Sequence, residues 1–149
     1  MSGPLRIINV HLESPTRNDI ASDARAEQLR YLHAVAKQLY NGVTIPTVLL
    51  GDLNLIGPEE DAITDALFAD TWTMLRPQDP GYTFPSPYHK HDLPPKRIDR
   101  ILLSDTERSK PVEIDIVIQE PVRIDKFGEV PISDHVGVLA SITIDSRRP

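Results

Sequence analysis

Two short apolar segments, LRIINVH (Leu5 to His11) and TVLLGD (Thr47 to Asp52), each close on a polar residue and flank a long amphipathic stretch. This strand, helix, strand order restricts the fold more than any other feature of the chain. In the intervening ASDARAEQLRYLHAVAKQLY, residues Leu29, Leu32, Val35, Ala36 and Leu39 recur at three- and four-residue spacing. The spacing predicts one helix with a single apolar face, capped by Ser22 or Asp23. GPEEDAITDALF predicts a shorter helix, with Pro58 in its first turn and acids at its positive end. RIDRILLS from Arg97, VEIDIVIQ from Val112 and VGVLASITI from Val136 alternate as three further strands. The class is therefore α/β with a mixed sheet. PQDPGYTFPSPYHKHDLPPK is long and rich in turn residues, which reads as a functional loop. There is no internal repeat, low-complexity tract or linker, and 149 residues suit a single domain over 1–149.

Composition removes several chemistries. Without cysteine there is no disulfide framework, thiolate zinc site or cysteine nucleophile. The apolar runs are far shorter than a membrane span, and MSGPLRIINV lacks the basic stretch and long apolar region of a signal peptide. A soluble, intracellular protein is expected, with cytoplasm and nucleus not separated. Sixteen Lys and Arg against 22 Asp and Glu give a formal charge of −6. That balance disfavours nonspecific affinity for nucleic acid, although a carboxylate-lined metal site would add acids while still attracting phosphate.

The polar residues occupy strand ends in a telling way. His11 and Asp52 close their strands, whereas Asp99 and the adjacent Asp134 and His135 precede theirs. If the last strands run antiparallel to the first two in one sheet, all of these positions reach the same sheet edge. Asp134 and Asp52 are hard oxygen donors suited to magnesium or manganese, and Asn54 adds a neutral amide. His135 suits a base or cation near neutral pH, Asp99 could fix its tautomer, and His11 could donate to a developing oxyanion. Phosphate ester hydrolysis needs these parts. Taken singly, each residue has a plainer reading. GDLN can be only a turn, Asp99 can be salt-bridged between Arg97 and Arg100, and His11 can be a satisfied core histidine.

INVHLES, LLGDLNL, KRIDRILLS and ISDHVGVLA, in this order, resemble the later signature blocks of the endonuclease/exonuclease/phosphatase superfamily, from His11 to about Ile144. HLES followed by RAEQLRYL is most similar to the tyrosyl-DNA phosphodiesterase 2 branch, with sphingomyelinase-like members next. The resemblance implies a magnesium-dependent (or manganese-dependent) phosphodiesterase built as the C-terminal half of a four-layer α/β/β/α sandwich. It makes His135 the catalytic histidine and Asp99 its orienting carboxylate. It gives Asp52 and Asn54 the attacking water and the phosphate, Asp134 the metal side, and His11 a phosphate contact. Where the branch carries an arginine and a tryptophan associated with substrate, this chain has Ile56 and Phe84. The superfamily's first half supplies a metal-binding Asn and Glu, for which neither Asn9 nor Glu120 stands in the right place. The chain therefore reads as a truncated domain with weak magnesium binding and one uncovered sheet face.

Three functions follow as expectations: hydrolysis of a phosphodiester such as a nucleic-acid end in DNA repair, a sphingomyelinase-like or inositol-phosphate phosphatase, or a non-catalytic chain whose open sheet face takes a second copy or a partner supplying the first half. Several residues lie outside these assignments. His89 and His91 are expected to be solvated, His33 to be a packing or boundary residue, and Trp72 with Leu75 to be core. Lys96 and Arg97 suit either a phosphate-facing loop edge or a solvated strand start.

Overall fold

The computed structural model describes residues 4–14, 20–39, 42–89 and 92–145. β1 (Arg6–His11) runs parallel to β2 (Thr47–Asp52), and the helix α1 (Ile20–Ala36) joins them. α2 (Pro58–Leu67), a short β3 (Ala69–Asp70) and the brief helix α3 (Thr71–Leu75) lead into the long loop, after which β4 (Asp99–Leu103) pairs antiparallel with β2. The result is a mixed four-stranded sheet of order β1-β2-β4-β3. β5 (Ser109–Val117) pairs with β8 (Gly137–Ile144), and β6 (Val122–Ile124) with β7 (Gly128–Val130), as separate two-stranded antiparallel sheets. Among the described residues, no helix is long and apolar enough to cross a membrane.

Parity along the strands divides the four-stranded sheet into two faces. Ile8, Val10, Leu49 and Leu102 share one face and pack with Leu29, Leu32 and Ala36 of α1 and Leu67 of α2. The other face carries Ile7, Asn9 and His11 on β1, Val48, Leu50 and Asp52 on β2, and Leu103, Ile101 and Asp99 on β4. Ile7 is 64% exposed, but Val48 and Leu103 on the same face are buried, so only the β1 edge of this face is open and not the whole face as expected.

Two expectations need correction, and one element was not foreseen. The first helix begins at Ile20 and ends at Ala36, so Ser22 and Asp23 lie inside its first turn, and Leu39 is exposed beyond its end. The physical stop is Arg6, whose guanidinium donates to the carbonyls of Val35 (2.7 Å), Ala36 (3.2 Å) and Gln38 (3.1 Å). A cation placed there satisfies the last carbonyls and opposes the negative end of the helix dipole. The last strand does not join the first sheet. β3 occupies the outer edge of β4, and β8 finds its partner in β5. The hairpin of β6 and β7 escapes sequence reading because each strand has only three residues, too few for a periodic pattern to show.

Gly51 sets the closeness of β1 and β2. Its φ is +130°, and a Cβ there would lie 2.0 Å from the carbonyl oxygen of Val10. Gly51→Ala is expected to cost about 2–3 kcal/mol, through strain plus parting of the two strands. Urea unfolding of the pair checks this, and an unchanged midpoint contradicts it.

Candidate active site

Strand register brings three of the candidate residues into a row. His11 is the β-partner of Asp52, and Asp52 is the partner of Asp99, so all three project from the same face at the same end of three adjacent strands. His11 Nε2 lies 3.5 Å from Asp52 Oδ2, and the His11 side chain is 67% exposed. It is not a core histidine.

His135 reaches this row from outside the sheet. Its Nδ1 lies 2.8 Å from Asp99 Oδ2, and its Nε2 lies 3.9 Å from Asp52 Oδ2. With Nδ1 donating to Asp99, Nε2 is left free to accept a proton on the Asp52 side. The arginines flanking Asp99 in sequence turn away from it. Arg97 and Arg100 both pair with Asp70, at 2.5 Å and 3.3 Å, so the surface salt-bridge reading of Asp99 fails.

The segment carrying His135 is held by the long loop rather than by strand pairing. Thr83 Oγ1 accepts from the backbone N–H groups of Ile98 and Asp99, both at 3.1 Å, while the Thr83 carbonyl accepts from Val136 N at 2.9 Å. Ser86 N donates to the Asp134 carbonyl at 2.6 Å, and the Phe84 ring lies 5.0 Å from the His135 imidazole. One fully buried threonine thus ties the start of β4 to the histidine segment. Sequence reasoning missed Thr83. The available signal was a β-branched residue between two aromatics, GYTFP, inside a loop otherwise built of turn formers.

Asn54 serves both of its readings. Its backbone N–H donates to Asp52 Oδ1 at 3.0 Å, closing a turn, and its φ of 52° is a left-handed conformation that asparagine tolerates. Its buried Nδ2 donates to the Leu12 carbonyl at 3.1 Å, which fixes the ends of β1 and β2 together. Asp134 is half-buried and adjacent to His135. It is not one of the three residues whose ligand atoms converge. Those are Asp52, Asp99 and His135, mutually within 4.8 Å.

Two carboxylates and an imidazole at this spacing fit a divalent cation. The oxygen donors suit magnesium or manganese, although the Asp99–His135 hydrogen bond already engages part of the set. Burial pushes the Asp52 carboxyl above the ordinary carboxylate value, and the Asp99 charge adds to the rise. The Asn54 N–H, His135 and His11 pull it partly back. A carboxyl that binds its proton more tightly folded than unfolded costs stability above its folded pKa, and the cost vanishes below the unfolded one. Asp52→Asn is therefore expected to raise the Tm of the metal-free protein at neutral pH, with no gain near ~pH 3. Thermal unfolding in chelator at both pH values checks this. A neutral-pH Tm equal to or below wild type contradicts it.

Other candidates resolve more simply. His33 packs edge-on to Phe68 at 5.4 Å, as a packing residue should. Trp72 is buried, donates to the Asp79 carbonyl at 2.8 Å and faces Gly81, so it is core. Leu75, by contrast, is exposed. His89 is half-buried, and His91 lies outside the described residues.

Comparison with known proteins gives a fold. No family model and no curated protein matches the chain. Among solved structures, D. rerio TDP2 complexed with single strand DNA product matches with a TM-score of 0.70 at 22% identity, covering 92% of this chain and 55% of that one. An endonuclease/exonuclease/phosphatase family protein from Bacteroides thetaiotaomicron matches with a TM-score of 0.66 at 21% identity over 93% of this chain and 48% of that one. A mannosyl-6-phosphatase from the same organism gives 0.65 at 19% identity over 93% and 51%. The chain spans about half the length of each of these structures.

Proposed function

Because this chain has the endonuclease/exonuclease/phosphatase fold over about half the length of the solved structures that share it, we propose that it hydrolyses phosphodiesters with a divalent cation. The observation that carries the reading is the His135–Asp99 pair facing Asp52 from a different part of the chain, with His11 beside it. Residues that serve only turns or surface ion pairs have no reason to meet on one face of one sheet end.

The residues divide the work by their geometry. Asp99 accepts the Nδ1 proton of His135 and so holds the imidazole in one orientation and tautomer. His135 Nε2 then serves as the base or cation at the phosphate. Asp52, held by the Asn54 N–H, orients the attacking water, and the exposed His11 donates to a phosphate oxygen. A bound Mg²⁺ or Mn²⁺, with Asp52 of the convergent Asp52, Asp99 and His135 as an oxygen ligand, would neutralise phosphate charge. We assign a nucleic-acid end as the first substrate class, because a DNA product is bound to the TDP2 structure with this fold.

A substrate panel tests the assignment. Cleavage of DNA-end phosphodiesters in preference to sphingomyelin and phosphoinositides supports it, and the opposite preference transfers the chain to the headgroup class.

A second reading has its own observation. Ile7 on β1 and Leu139 on β8 are 64% and 63% exposed, which leaves apolar strand residues for a second copy or a partner to cover. Sedimentation decides: a stable monomer with full activity excludes this reading.

A further inference from the structure

Asp99 opens β4 in the four-stranded sheet, whereas His135 stands two residues before β8, a strand of a separate two-stranded sheet, yet their side chains meet at 2.8 Å. Neither ladder fixes that distance. Asp99 is the last residue of β4 paired with β2, opposite Asp52, and the β5–β8 ladder begins only at Gly137. A bond between two such ends needs a tie that both share.

Thr83 provides it. The residue is 1% exposed, and its Oγ1 accepts from the backbone N–H groups of both Ile98 and Asp99 at 3.1 Å. These two bonds occupy both lone pairs of the hydroxyl oxygen. The Thr83 carbonyl accepts at 2.9 Å from the N–H of Val136, the residue directly after His135. Three residues on, Ser86 N donates at 2.6 Å to the carbonyl of Asp134, the residue directly before it. Thr83 is itself registered, because its N–H donates to the Lys96 carbonyl at 2.8 Å beside the bridge between Phe84 and Lys96. The peptide groups on both sides of the imidazole thus hang from the segment 83–86, and the carboxylate that the imidazole meets hangs from the same threonine.

We propose that Thr83 is a positioning residue for hydrolysis, which sets the orientation and tautomer of the His135 imidazole through Asp99 and the histidine segment. The inference rests on the reading of His135 and Asp99 as the acid–base pair. Valine has the shape of threonine but no acceptor, so two backbone N–H groups at the start of β4 lose their partner and that end must shift to find another. A displacement of ~1 Å at such a group is felt in the chemical step. Serine keeps the oxygen and loses only a methyl, so it separates alignment from packing.

The test compares Thr83→Val with Thr83→Ser in the full chain, beside Leu67→Ala, which thins the packing on the opposite face of the sheet. Nitrogen-15 NMR of the imidazole in chelator, at alkaline pH, reads the tautomer of the neutral ring. Wild type, Thr83→Ser and Leu67→Ala are expected to hold the proton on Nδ1, and Thr83→Val to move a large share of it to Nε2. In hydrolysis, Thr83→Val is expected to lower kcat about tenfold or more with KM within about twofold, and Thr83→Ser to stay within about threefold of wild type. Thr83→Val should add nothing once His135 is alanine. Thr83→Cys, with a weak sulfur acceptor of similar bulk, makes the same comparison in milder form and does not depend on the valine variant folding. A wild-type tautomer in Thr83→Val and Thr83→Cys, a kcat loss shared equally by Thr83→Ser, or losses that multiply in the double variant would overturn the proposal. A tautomer that moves as expected in a chain that hydrolyses nothing would remove the hydrolytic reading alone, whereas wild-type turnover in Thr83→Val would remove the positioning role alone.

Discussion

Replacing His135 with alanine is expected to lower phosphodiester hydrolysis by about 10³-fold, the middle of the range for loss of a positioned acid–base group. The expectation follows from the 2.8 Å bond to Asp99 on one ring nitrogen and the approach of the other to Asp52. The same geometry predicts non-additivity. If Asp99 acts by holding the imidazole, Asp99→Asn has little left to remove once His135 is gone, and the double variant should be no worse than His135→Ala. Multiplying losses would show that Asp99 touches the phosphate or a cation in its own right. Wild-type turnover in His135→Ala would end the catalytic assignment of this residue.

The largest expected effect on stability lies at Asp70. Its carboxylate is 2% exposed, caps α3 through Trp72 N at 2.9 Å and pairs with Arg97 and Arg100. Asp70→Ala leaves both guanidinium groups without their shared partner, at a cost of about 3–5 kcal/mol, and the lost cap adds about 1 kcal/mol. That is a large part of the roughly 5–15 kcal/mol that holds a typical domain together. Asp70→Asn keeps a capping oxygen and should recover about the capping share only. Urea unfolding monitored by circular dichroism measures both variants. A loss below about 1 kcal/mol in Asp70→Ala would show that the arginines find water or other partners instead.

Much of this arrangement was legible in the sequence because strands advertise themselves by apolar runs and by where the polar residue falls. His11 and Asp52 at strand ends, with Asp99 at a strand start, predict the sheet edge on which the structure places them. What was not legible depends on contacts distant in sequence. Nothing in RIDR says that both arginines turn to Asp70 and leave Asp99 for His135. Helical periodicity ran on to Tyr40 because the residue that ends the helix, Arg6, belongs to another element. His135 was expected to reach the site on a strand of the same sheet. It arrives instead through Thr83 and Ser86, whose hydroxyl and backbone bonds carry no apolar pattern. Lys96 and Arg97 read alike in the sequence, and only the structure shows that Arg97 turns to Asp70.

As proposed, Asp52, Asp99, His135 and His11 act as one hydrolytic site. The most direct measurement is the rate of phosphodiester hydrolysis by the purified chain, with and without Mg²⁺ or Mn²⁺, beside an Asp52→Asn control prepared identically. Metal-dependent turnover is expected, falling by about 10²-fold or more in the control, the loss expected when the residue that orients the water is removed. Turnover that survives unchanged in Asp52→Asn, or a folded wild-type chain that hydrolyses no member of the panel at saturating metal, would contradict it.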